Sequence, residues 1–155
     1  MTRALFHAAH IWIWALYYGA ITYNYFMLYP RMRQFFESEA AYEEFAIASA
    51  MGLRWWIFGT IAMAGVTGSL LVVWRPRPEM PAAWWMLVGA KAVLMMVLAA
   101  VYAYVSWVMW PRRVFAPAAE RPRQQRQFFR VAFFIGFLLM GQLVLGALAH
   151  VVAAN

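Results

Sequence analysis

The chain alternates between long apolar runs and short polar intervals. Four runs reach the roughly 20 residues that a helix needs to cross a bilayer: about 4–29, 46–74, 83–110 and 128–152. Proline gathers at their ends, at Pro30, at Pro76, Pro78 and Pro81, and at Pro111, Pro117 and Pro122. There a missing N–H interrupts no helical ladder inside lipid. Tyr23, Tyr25, Tyr29, Trp55, Trp56, Trp84, Trp85, Trp107 and Trp110 crowd the same ends as an interfacial belt. The pattern predicts an all-α integral membrane protein, a four-transmembrane-helix bundle forming one domain over residues 1–155. The first run is read as a retained helix. It is too long and aromatic for a signal peptide and shows no small-residue cleavage site before Arg31.

The intervals are less regular. Ser38 suits an N-cap for a short helix through Phe45, whereas 116–127, rich in proline, arginine and glutamine, reads as extended. No internal repeat is evident.

Composition agrees with the bilayer. Hydrophobic residues make up 66% of the 155 and charged residues only 12%, against about 45–50% and 25% in soluble domains. The absence of cysteine excludes disulfides, thiolate metal sites and iron–sulfur clusters. The net charge of +7 sits mostly between the apolar runs, where it sets orientation, and no soluble domain is left to bind nucleic acid. Four crossings return the chain to one face, here side A. Side A carries Arg3, Arg75 and Arg77. Side B carries Arg31, Arg33, Arg112, Arg113, Arg121, Arg123, Arg126 and Arg130. Side B is therefore expected in the cytoplasm, with both termini periplasmic, in a bacterial inner membrane.

Few polar residues lie at membrane depth, where a charge costs roughly 2.5–3.5 kcal/mol. Lys91 stands about 10 Å from the side A end of its run. It either snorkels to the interface or meets a carboxylate, such as a haem propionate, inside the bundle. Arg54, beside Trp55 and Trp56, reads as an interfacial anchor. Gln142 and Thr67 are candidates for interhelical hydrogen bonds. The eleven methionines, without a Met-x-x-Met cluster, read as filler.

All three histidines, His7, His10 and His150, fall toward side A. His10 and His150, offered from the first and last helices, are the expected axial pair for a haem or ligands for a metal, with His7 beside them. Gly146, one turn before His150, leaves room for a flat macrocycle. A bundle without Asp or Glu in its spans has no carboxylate-bridged di-iron site.

With these residues placed, a resemblance emerges. A first-helix histidine before Trp14, then Tyr29-Pro30-Arg31, is similar to the opening of the HemJ-type protoporphyrinogen oxidases and the related CopD copper-resistance membrane domains. The stretch Gly89-Ala90-Lys91 and its apolar continuation resembles the lysine-bearing third helix of the HemJ type, and Phe128-Phe129-Arg130 the start of its last helix. The resemblance implies a four-helix inner-membrane protein that binds haem b, in which His7 or His10 and Lys91 matter. The family's further third-helix histidine has no counterpart, since that stretch reads Tyr102-Ala103-Tyr104.

The leading expectation is a haem b-binding redox or electron-transfer protein with His10 and His150 as ligands. Lys91 would sit at a propionate, or orient an acidic tetrapyrrole in a HemJ-like oxidation. A quinone is a candidate electron partner. The alternatives are an accessory subunit of a larger respiratory or photosynthetic membrane complex, and CopD-like copper handling. Homo-oligomerisation is compatible with each.

Overall fold

In a computed structural model the described residues are 2–50, 52–74, 80–117 and 119–153. They form α1 (Thr2–Tyr23), α2 (Tyr29–Phe35), α3 (Glu39–Ala50), α4 (Leu53–Val73), α5 (Ala82–Tyr104), α6 (Trp110–Val114) and α7 (Arg121–Val152). No strand occurs among them. α1 with α2, α4, α5 with α6, and α7 supply four segments long and apolar enough to cross a membrane. The outer surface exposes Leu16, Val66, Met86 and Phe137, side chains that only lipid covers favourably.

Several boundaries differ from the sequence expectation. Pro30 and Pro111 do not end their helices. Each is preceded by a π-helical turn, Asn24–Leu28 before Tyr29-Pro30 and Val105–Met109 before Trp110-Pro111. Within these turns the Tyr29 N–H bonds to the Asn24 carbonyl and the Trp110 N–H to that of Val105. A proline ring in a regular α-helix collides with the carbonyl four residues back. The wider turn removes that collision, so both helices continue into the side B interface. The second run is divided: Gly52, at φ +82°, takes a left-handed conformation that favours glycine, separating α3 from α4. Residues 121–127 are helical, with Pro122 in the first turn of α7. Pro76 and Pro78, with Arg75, Arg77 and Glu79, lie outside the described residues.

Packing follows two hairpins. α1 packs along α4, α5 along α7, and α1 against α7 joins the pairs. Trp14, Tyr17, Ile61, Ala64, Leu98, Ile135, Leu138 and Leu139 form the core. Small residues set the spacing at particular points. Gly141 lies so close to Leu94 that a Cβ there would stand 2.9 Å from its Cδ2, while Gly136 faces open space.

The hairpins also repeat. His10 stands twenty residues before Pro30, and Lys91 twenty before Pro111. Each return helix carries a glycine opposite: Gly68 faces His10, and Gly146 faces Lys91. The shared pattern is a polar side chain, a π turn, then aromatic-Pro-Arg. Aligned residues alone conceal it, because few identities survive around these landmarks.

Candidate functional site

Helical spacing puts His7, His10, Trp14 and Tyr17 on one face of α1, turned toward the bundle. The Trp14 indole N–H donates to His10 Nε2 at 3.2 Å. That nitrogen is thus an acceptor, and a neutral imidazole then carries its proton on Nδ1. Nδ1 lies 2.8 Å from Thr67 Oγ1, and the Thr67 hydroxyl in turn donates to the Met63 carbonyl at 2.8 Å. One directed chain of hydrogen bonds therefore runs Trp14, His10, Thr67, Met63, and ties α1 to α4. The His10 ring is also pressed on Gly68, where a Cβ would stand 3.1 Å from Cε1.

Lys91 reaches across to α7, its Nζ 3.0 Å from the place a Gly146 Cβ would occupy. On the same helix pair Gln142, buried at 2% exposure, donates to the Lys91 carbonyl at 2.9 Å. His7 stands one turn from His10 on α1, and Gly146, which Lys91 faces, one turn from His150 on α7. His7 stacks on His150, ring centroids 5.4 Å apart and planes 27° from parallel.

The structure thus gathers all four sequence candidates at the side A end, but pairs them differently. His150 meets His7, not His10. The two ring nitrogens of His10 are engaged by Trp14 and Thr67, and the space beside Gly146 expected for a macrocycle holds the Lys91 ammonium. Imidazoles on opposite faces of one haem aim their nitrogens at each other through the iron, which a face-stacked pair does not do. This arrangement does not fit a haem clamped by His10 and His150. Nor, among the described residues, do three or more His, Asp or Glu side chains gather as metal ligands.

A second feature, a cavity that the sequence reading did not anticipate, lies at the side B end. A cavity of about 780 Å³ is lined by Tyr25, Tyr29 and Tyr102, by Trp55 and Trp110, and by Arg33, Arg54, Arg113 and Arg126. A smaller lobe of about 160 Å³ continues inward past Ile21, Leu28, Ile57, Val131 and Ile135. Tyr25, Tyr29 and Tyr102 line both, so the two spaces adjoin across these side chains. Arg54 is more than an interfacial anchor. Its Nη2 donates to the Ser106 carbonyl at 2.6 Å, and its guanidinium lies 5.2 Å from the centre of the Trp107 ring. The π turn explains this contact. Val105 takes the Trp110 N–H, and Pro111 has none to give Ser106, so an arginine from α4 supplies the donor.

α3 covers this end. Arg113 forms a two-point pair with Glu43, Nε to Oε2 at 3.1 Å and Nη2 to Oε1 at 2.8 Å. Gln125 donates to the same carboxylate at 2.6 Å and also to Glu39. Burial pushes the Glu43 carboxyl up. The Arg113 and Gln125 hydrogen bonds, with the charges of Arg113 and Arg121, outweigh it and hold the group below its ordinary value. Ser38 caps α3 as expected, its Oγ accepting from the Ala41 N–H at 3.1 Å.

Fold and surface define a multi-pass, all-α membrane protein. Compared with protein-family models, with curated proteins and with solved structures, the chain finds no match.

Proposed function

We propose that the protein is an inner-membrane redox protein of the HemJ kind, with side B in the cytoplasm and both termini periplasmic. Its enzymatic form is the oxidation of an acidic tetrapyrrole, with a quinone as a candidate electron partner. One observation carries this reading: the two residues the resemblance singles out, a first-helix histidine and the third-helix lysine, occupy matching positions in two repeated hairpins. Both turn into the same half of the bundle. His10 is oriented by Trp14 and Thr67, while the Lys91 amine ends a flexible stem beside a glycine. A fixed imidazole and a movable cation suit a substrate bearing propionate side chains, with Lys91 orienting a carboxylate.

The stacked His7–His150 pair favours a second reading, CopD-like copper handling, because two imidazoles from separate helices meet near the side A surface.

One preparation tests both. The purified protein's visible spectrum is recorded as isolated and after dithionite reduction, with metal analysis, followed by tetrapyrrole oxidation assays. Oxidation that falls in Lys91→Met and His10→Ala supports the redox reading. Copper that is lost in His7→Ala and His150→Ala supports the second. A colourless, metal-free and inactive protein removes both and leaves an accessory subunit of a larger complex.

A further inference from the structure

We propose that the side B cavity is a binding site for an acidic phospholipid, its phosphate held by Arg54 and Arg126 and part of an acyl chain entering the inner lobe. The charge pattern is the first argument. Four arginines and no carboxylate line the outer space. Two of the four are already matched, Arg113 by Glu43 at 2.8 Å and Arg33 by Glu39 at 3.5 Å. Among the described residues Arg54 has only a neutral carbonyl and an indole face for partners, and Arg126 makes no ion pair. Two positive charges at the mouth of one cavity therefore lack an anion, and a phosphate accepts from a guanidinium at two points.

The cavity's gradation is the second argument. All four arginines line the outer space and none lines the inner lobe, whose walls are mainly apolar, with Ile21, Leu28, Ile57, Val131 and Ile135 beside the three shared tyrosines and the polar Asn24 and Ser49. Trp55 and Trp110, at the depth of the interfacial belt, mark the mouth as the level of lipid headgroups. A head-to-tail match of this kind fits an amphiphile drawn from the surrounding leaflet. An inorganic anion would leave the inner lobe unfilled. The site lies at the opposite end of the bundle from His10 and Lys91 and goes beyond the redox reading.

The test is native mass spectrometry of the full chain reconstituted with phosphatidylglycerol or with phosphatidylcholine of the same acyl chains. One phosphatidylglycerol is expected to stay bound per chain, in clear preference to phosphatidylcholine. Arg126→Gln should weaken retention roughly fivefold and the double variant with Arg54→Gln roughly 30-fold, at about 1 kcal/mol per basic residue. Arg54 also supports Ser106, so Arg126→Gln, at an exposed position that makes no ion pair among the described residues, separates lost binding from lost folding. Arg123→Gln, exposed on the same helix outside the cavity lining, should change nothing. Equal retention of both lipids overturns the proposal. So does a phosphatidylglycerol preference that survives Arg126→Gln and the double variant, or displacement of the lipid by a dicarboxylic porphyrin, which would assign the cavity to a tetrapyrrole. His10→Ala and Lys91→Met leave lipid retention unchanged, so a failure of the redox reading is read separately.

Discussion

Arg113→Leu is expected to release α3 from the roof of the side B cavity. The Glu43 and Arg113 side chains are 5% and 11% exposed, and two hydrogen bonds join them. Leucine would leave a buried carboxylate with Gln125 as its remaining partner. Breaking a buried pair from one side costs about 3–5 kcal/mol, far above the 0–1 kcal/mol of an exposed pair. Because Gly52 separates α3 from α4, the loss falls on α3 rather than on the bundle. Hydrogen exchange therefore reads it better than global unfolding. Amides of residues 39–50 should exchange about a hundredfold faster or more, at 1.4 kcal/mol per tenfold. Exchange in α7 beyond residue 130 should not change. The companion Glu43→Leu/Arg113→Leu removes both charges and should restore much of the protection. Unchanged exchange in the single variant, or a double variant as unprotected as the single, would refute the argument. The same pair sets an acid limit. The folded Glu43 carboxyl lies below its ordinary value of 4.5. Its contribution is therefore complete above that value and is lost as pH falls through the folded one. α3 should loosen below pH 4.5 and stay protected between there and neutrality.

Three further outcomes follow from contacts in the spans. Thr67→Val leaves the His10 Nδ1–H without its acceptor. A His10–Thr67 double-mutant cycle in reversible detergent unfolding should give a coupling of about 1 kcal/mol, within the range of interhelical hydrogen bonds in membranes, and zero coupling would remove the directed chain. Gly68→Ala meets an imidazole fixed at both nitrogens and should cost about 1–3 kcal/mol. Gly146→Ala meets only the end of a lysine that swings aside, so equal costs at the two glycines would contradict the difference drawn between them. Pro111→Ala removes the reason for the π turn. Arg54→Gln should then destabilise less in that background than in the parent, by roughly 1–3 kcal/mol, and an equal cost would show that the turn has another cause.

The membrane class was legible because it depends on sums. Four apolar runs, each near the thickness of a bilayer, need no knowledge of which helix neighbours which. Helix ends were less legible. Pro30 and Pro111 read as terminators because the local rule considers only an α-helix, and the π turn that admits them is a property of several residues together. Gly52 divides a run whose one charge, Arg54, reads as an interfacial anchor, so hydropathy did not mark the break. Ser38 was readable because an N-cap is settled within four residues.

At the candidate site, residue types and depth came from the sequence alone: three histidines and a lysine toward side A, in helices that had to come together. Their pairing did not. Whether His150 meets His7 or His10 depends on the rotation and axial slide of α7 against α1, and a shift of one turn exchanges the two. That register is decided by core packing, by Trp14, Ile61 and Leu139 filling one interior, and by Gly68 and Gly146 opening space where polar side chains must lie. The side B cavity is equally a tertiary product, built from arginines and tyrosines of six helices that share no local pattern. Burial in lipid is additive along the chain, which is why the sequence by itself determined a four-span membrane protein. Recognition depends on distances between segments, which only the packed structure decided.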